Sequence, residues 1–222
     1  MADLSGKVFV VVGASGALGS RIAALLSDAG AALTLTARST DSLPEGSHTV
    51  AADLRQPDAG QQVIDAAREE HGHVDGVVIA SGIAAFGPIA EIDDDTVDDL
   101  VLVDFLGPLR VLRAALPVLE PGGVVVGISA VLAEQPVAGM ATYSAVKAAA
   151  SALFTAAAKE ARRSKIRVID VRPPHTETGL ADRAIAGDPP RMPDGADPDA
   201  VARRIVEAIT GDERELPSSA FS

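Results

Sequence analysis

The chain has no cysteine and no tryptophan. The first absence removes disulfides, thiolate catalysis and cysteine-based metal sites together. Aromatic residues amount to 3%, and Tyr143 is the only tyrosine, so the core must be built from Ala, Val, Leu and Ile. Positive charge is also scarce. Nineteen Lys and Arg stand against 31 Asp and Glu, a formal charge of −12, the wrong sign for gripping a phosphate backbone; no nucleic-acid partner is expected. No apolar run free of charge, Gly and Pro is long enough to span a bilayer. Lys7 leads straight into Val8-Phe9-Val10-Val11-Val12 without the pattern of a secretory leader. The expectation is a cytoplasmic protein with no membrane partner.

What is present is a length of 222 residues, 47% of them hydrophobic and 23% charged. That suits one domain over 1–222 with a sizeable core. Short β-branched runs at 8–12, 33–37, 49–52, 76–80, 124–128 and 166–171 alternate with Ala/Leu-rich helical stretches near 17–29, 57–71, 93–119, 140–163 and 198–210. Several of the runs are apolar on both faces, as in strands covered by helices on each side. Such alternation specifies an α/β fold, a doubly wound parallel sheet with helices on both faces. Asp93, Asp94 and Asp95 place negative charge where a helix N-terminus favours it, and Gly107-Pro108 should bend the 93–119 helix in its middle. His71-Gly72-His73 reads as a helix C-terminus rather than a metal site. The stretch 187–197 is loop-like, within a longer segment, 179–197, expected on the substrate side.

The first strand runs into Gly13-Ala14-Ser15-Gly16-Ala17-Leu18-Gly19, and a helix follows at once. Glycines there permit a sharp strand-to-helix turn, close approach of backbone N–H groups to a pyrophosphate, and tight helix–strand packing. In a strand–turn–helix context this points to dinucleotide binding. The second strand ends in Ala37-Arg38-Ser39. The acidic residue that would bind an adenosine 2′-hydroxyl is missing, and the Arg38 fork suits a 2′-phosphate, so NADP(H) is expected over NAD(H).

Lys147 follows Tyr143 by one helical turn on the same face. An ammonium beside a phenol is expected to draw its pKa down toward working pH, which would make Tyr143 a usable proton donor or acceptor.

These residues resemble the short-chain dehydrogenases/reductases. The resemblance rests on Gly13 to Gly19 after the first strand, Asp53-Leu54 after the third, and Tyr143-Ser144-Ala145-Val146-Lys147 opening a late helix. It implies a Rossmann-type sheet of about seven parallel strands, a nicotinamide cofactor, and hydride transfer to or from a carbonyl or alcohol carbon of a small molecule. It also implies a homodimer or homotetramer joined through the helices at 93–119 and 140–163. Carried over to this chain, Tyr143 is the general acid/base and Lys147 its ribose-binding partner. Gly13, Ser15, Gly16, Ala17, Leu18 and Gly19 form the phosphate turn, while Asp53 and Leu54 meet the adenine. Ala80, Ser81 and Gly82 close the fourth strand, and Pro173, Thr176 and Thr178 border the nicotinamide, with Thr178 matching the threonine that holds its carboxamide.

The chain departs from the pattern at four places. Its glycines are spaced Gly-x-x-Gly-x-x-Gly. Ile79-Ala80-Ser81-Gly82 stands for Asn-Asn-Ala-Gly. Ala130 stands for the family serine, with Ser129 as its neighbour, and Asp104 for the helix asparagine whose carbonyl anchors a water beside the lysine. Ser129 substitutes for the serine only if the backbone bulges; Ser81, Thr142 and His175 are the other hydroxyl or ring donors within reach. His175 and Glu177 read as a polar loop. The missing serine keeps two alternatives beside the oxidoreductase: a non-redox enzyme of elimination or cyclisation, and a catalytically degenerate NADP-binding protein.

Overall fold

A computed structural model of the chain describes residues 3–221; Met1, Ala2 and Ser222, the extremes of the expected domain, lie outside it. The chain opens with β1 (Val8–Val12), α1 (Ala17–Asp28), β2 (Ala32–Ala37), β3 (His48–Ala51), α2 (Ala59–His71) and β4 (Gly76–Ile79). It continues through α3 (Asp94–Val101), α4 (Gly107–Ala115), β5 (Val124–Ile128), α5 (Ala141–Ala161), β6 (Arg167–Val171), α6 (Pro198–Thr210) and β7 (Glu215–Leu216). The seven strands form one sheet in the order β3-β2-β1-β4-β5-β6-β7, and every pairing is parallel.

All five residues of β1 are buried, which is why its sequence is continuously apolar rather than alternating. Its side chains still point alternately to the two faces. Val10 and Val12 join Val63, Ile64, Val111 and Phe154 beneath α2, α4 and α5, whereas Phe9 and Val11 join Ile22, Leu26, Ile205 and Ile209 beneath α1 and α6. Phe154 needs special accommodation in this packing. A Cβ on Gly127 would overlap its ring, so a glycine in β5 admits the largest fully buried side chain of α5. The chain reverses direction across the sheet between β1 and β4, and in open α/β sheets the crevice at that switch is where ligands sit.

The stretch expected as one bent helix, 93–119, is two helices joined by a π-helical turn over Leu102–Leu106. The Asp93 carboxylate starts α3 by accepting the Thr96 N–H at 2.7 Å. Pro108 explains the interruption. It has no N–H for the carbonyl four residues back, that of Asp104, so the ladder is broken there, and the Gly107 N–H bonds instead five residues back to Leu102 O. Gly107 also lies against Leu54; a Cβ there would sit 2.8 Å from the Leu54 Cβ. Gly72 ends α2 in a left-handed conformation at φ +83°, as the His-Gly-His reading expects.

The segment 179–197 is tied near its middle and near its end. Ile185 N–H bonds to Ala84 O at 2.8 Å and Phe86 N–H to Ala186 O at 2.9 Å. Farther along, Ala196 N–H bonds to His175 O at 2.7 Å and Glu177 N–H to Ala196 O at 3.1 Å. Among the described residues no helix is long and apolar enough to cross a membrane.

Candidate active site

Side chains from five separate parts of the chain converge at the C-terminal ends of the strands around a cavity of about 500 Å³. The β1–α1 turn brings Gly16, Ala17 and Leu18; the end of β4 brings Ala80, Ser81 and Gly82; the end of β5 brings Ser129 and Ala130. Helix α5 contributes Tyr143 and Lys147, and the chain beyond β6 contributes Pro173, His175, Thr176 and Thr178. A second cavity of about 300 Å³ beside the outer half of α5 contains none of the expected site residues.

The turn after β1 works only with glycine. Gly13 adopts φ +84°, and a Cβ on it would stand 2.7 Å from the Ser81 backbone; a Cβ on Gly19 would collide with Gly13 O. The first clash keeps the turn close to the end of β4, and the second keeps α1 close to the turn that precedes it. Gly13 and Gly19 thus shape the turn from behind, and neither they nor the exposed Ser15 line the cavity.

Tyr143 and Lys147 are 7% and 5% exposed, and the lysine Nζ lies 5.7 Å from the centre of the phenol ring. Behind them Asp104 is 1% exposed. Its Oδ1 accepts the Ile83 N–H at 3.0 Å, and its Oδ2 lies 3.6 Å from Lys147 Nζ. Gly82 leaves room for this group: a Cβ there would be 3.3 Å from Lys147 Nζ and 3.2 Å from Asp104 Oδ1. Lys147 Nζ also reaches Ile128 O at 3.5 Å.

This arrangement reverses one expectation. Burial pushes the Tyr143 phenol above its ordinary pKa, and Asp104 adds to the rise; Lys147 pulls it down but does not prevail. For Lys147, burial would lower the pKa, but the facing Asp104 and Tyr143 carry it upward. Burial raises Asp104 against the pull of Lys147 and the Ile83 N–H. At neutral pH the site therefore holds a protonated phenol beside an ammonium.

Ser129 takes no free hydroxyl into the cavity. Its Oγ donates to Asp170 Oδ1 at 2.6 Å, and lies 3.2 Å from Val171 O. The chain through Ala130 is extended at φ −169°, ψ 162°, so the bulge that would let Ser129 replace the serine is absent. Asp170 also accepts Ser151 Oγ at 2.5 Å and Arg172 Nη1 at 2.6 Å. Of the other donors considered, Ser81 and His175 line the cavity and Thr142 does not. Ser81 Oγ is buried with no hydrogen-bond partner among the described residues. His175 Nε2 lies 3.4 Å from Glu177 Oε1, and Thr176 Oγ1 donates to Pro174 O at 2.8 Å.

The remaining expected residues stand away from the cavity, beyond β2 and β3. Arg38 is exposed and Leu54 buried. Asp53 Oδ1 accepts the Arg55 N–H at 3.0 Å, and Arg55 forms a two-pronged contact with Asp99 at 2.6 and 2.9 Å. That contact, helped by the nearby Arg38 charge, holds Asp99 below the usual carboxylate range.

Sequence reasoning missed part of the lining. Ala84 and Phe86 form a wall, and Arg183 and Arg191 reach it from the 179–197 segment. The apolar run Ile83-Ala84-Ala85-Phe86 just past a strand was a usable signal for the first pair; nothing local distinguishes the arginines from solvated loop charges.

Comparison with known proteins agrees with the geometry. The family model described as short chain dehydrogenase matches residues 7–188. The chain is 33% identical over 199 residues to an uncharacterized oxidoreductase of Methylorubrum extorquens, covering 84% of this chain and 80% of that one. It is 28% identical over 219 residues to another from Staphylococcus epidermidis, covering 95% and 94%. Among solved structures, a dehydrogenase/reductase from Sinorhizobium meliloti superimposes with a TM-score of 0.84 at 27% identity, over 99% of this chain and 97% of the other. An alcohol dehydrogenase from Thermococcus sibiricus, complexed with 5-hydroxy-NADP, gives 0.83 at 25% identity over 96% and 97%. With its glycine turn, its seven parallel strands and its Tyr143–Lys147 pair above the switch point, the chain belongs to the short-chain dehydrogenase family of oxidoreductases.

Proposed function

We propose that the protein is an NADP(H)-dependent oxidoreductase that moves a hydride to or from the carbonyl or alcohol carbon of a small molecule, with Tyr143 handling the proton. The observation that carries this reading is the shared cavity: one helical turn presents Tyr143 and Lys147 to the space that the Gly16–Leu18 turn and the end of β4 also border. The residues fit a dinucleotide. The turn has no room for side chains at Gly13 and Gly19, its N–H groups open a helix as phosphate sites do, and Ser81 Oγ is a buried hydroxyl lacking a partner among the described residues. When bound, the nicotinamide supplies or accepts the hydride.

The chain's own groups divide the remaining work. Gly16, Ala17 and Leu18 meet the pyrophosphate on the turn that Gly13, Ser15 and Gly19 complete. Arg38 meets the 2′-phosphate, Asp53 and Leu54 flank the adenine, and Ala80, Ser81, Gly82, Pro173, Thr176 and Thr178 border the nicotinamide end. The NADP derivative bound by the Thermococcus sibiricus relative supports the choice made from Arg38. Tyr143 gives its proton to the substrate oxygen as negative charge develops there, and burial supports this role by keeping the phenol protonated at neutral pH. Asp104 keeps Lys147 charged, and the ammonium stabilises the phenolate left behind.

The test is to titrate the protein with NADPH and follow nicotinamide absorbance over a panel of ketones and aldehydes. Tyr143→Phe is expected to abolish turnover and spare NADPH binding; unchanged turnover would remove Tyr143 from the chemistry. Ala130, with the neighbouring hydroxyl committed to Asp170, favours one second reading, in which the same pair performs elimination or cyclisation. That reading requires product without any change in absorbance.

A further inference from the structure

The 179–197 segment carries six charged residues: Asp182, Arg183, Asp188, Arg191, Asp194 and Asp197. Its two cations line the cavity and its four acids do not. The sorting extends to the whole lining, which contains no Asp or Glu in a chain with 31 acidic residues against 19 basic ones. Among the described residues neither arginine lies within ion-pair distance of a carboxylate. Arg183 Nη2 reaches only Thr178 O, at 3.4 Å. The same cavity has apolar walls in Phe86, Leu132, Val137, Met140, Leu180 and Met192, and Tyr143 lines it too. Backbone bonds hold the segment to the body at 185–186, between the two arginines, and again at 196.

We infer that the substrate is a carbonyl compound whose apolar chain ends in a carboxylate, the carbonyl lying at Tyr143 and the carboxylate at Arg183 and Arg191. This rests on the oxidoreductase reading above. A guanidinium fork matches a carboxylate in shape and charge, and the lining offers no competing acid. The assignment also answers the loss of the hydroxyl at Ala130: with one fewer donor at the reacting oxygen, attachment at the far end of the molecule positions it. The dinucleotide's phosphates share the same chemistry but have their own site at the Gly16–Leu18 turn, and the experiment separates the two.

The probes are methyl-ketone carboxylates of hexanoate to decanoate length, each compared with its own methyl ester, on the NADPH-loaded protein. The expected result is kcat/KM about tenfold or more higher for the acid, the yield of one good charge-assisted contact, with the preference shrinking as salt is raised. In the double variant Arg183→Ala/Arg191→Ala the acid-to-ester ratio falls toward one while the KM for NADPH stays put. The double lysine variant restores part of the ratio, which excludes a folding defect as the cause. Equal use of acid and ester, a preference that survives the double alanine variant, or a rise in the NADPH KM with equal loss on both probes overturns the inference. Direct titration of acid and ester into NADP⁺-loaded protein supplies a readout without turnover. Arginine-dependent binding of the acid without any reaction would sustain this inference and sink the oxidoreductase reading; absence of preferential acid binding sinks the inference.

Discussion

At Ala130 the cavity lacks the hydroxyl that the family resemblance places there, and Ser129 does not make up the difference because its hydroxyl already donates a hydrogen bond to Asp170. Restoring the donor is therefore informative. Ala130→Ser is expected to raise kcat by at least about tenfold, a modest part of what an oxyanion donor supplies, with little change in cofactor affinity; steady-state kinetics on any accepted carbonyl decides it. The spacing of Tyr143 and Lys147 was legible because four residues make one helical turn, which is local information. The direction in which the phenol titrates was not. It depends on how deeply α5 is covered and on Asp104, a residue brought in from another helix, and these outweigh the adjacent ammonium. The arginines at the cavity were illegible for a similar reason: which side of a loop faces inward is decided by where it is tied.

Among the elements, strands were readable where apolar β-branched residues run together, as in Val8–Val12 and Val124–Ile128. β7 escaped notice because Glu215–Leu216 is only two residues long and owes its place to pairing with Asp170 and Val171. Gly107-Pro108 announced a break but not its kind; a π turn is the backbone's answer to a missing donor at Pro108. Pro108 offers no N–H to the Asp104 carbonyl, the backbone atom expected to anchor a water, and this holds whichever side chain stands at 104. The β5–β6–α5 junction depends on Asp170, which gathers Ser129, Ser151 and Arg172. Arg172 in turn reaches Glu134 and Glu215. Asp170→Ala should take the acceptor from the buried Ser129 hydroxyl, the part-buried Ser151 hydroxyl and part of a guanidinium, lowering stability by about 3–5 kcal/mol, measured as a shift in the urea midpoint at unchanged slope.

For the molecule as a whole, stability should fall away on both sides of a neutral plateau. On the acid side, Asp99 is held low by Arg55. Asp75 is held low by the Val8 N–H and Lys7 in spite of burial, and Glu134 by Ser218 and Arg172, also against burial. Carboxylates of this kind stabilise the fold above their unfolded pKa of about 4 and lose that contribution as pH drops through their folded values. Tyr143 and Lys147 are raised instead; their contribution is complete below about pH 10 and disappears as pH climbs through the folded values. A thermal melting series across pH checks both limbs, and Tyr143→Phe should make the alkaline decline shallower. A melting temperature still rising above pH 10 would contradict the assignment.

The ties at residues 84–86 and 175–177 also bear on how such a protein changes over generations. They act as two fixed posts with an exchangeable cassette strung between them: Gly187, where a Cβ would collide with Phe86 O, belongs to the first post, and residues 188–194 are free to be rewritten, lengthened or shortened while Tyr143 and Lys147 on α5 stay where they are. Under the proposed function, new substrate preferences are then reachable by edits to one short stretch, and the part of the molecule that carries Tyr143 and Lys147 can be inherited intact.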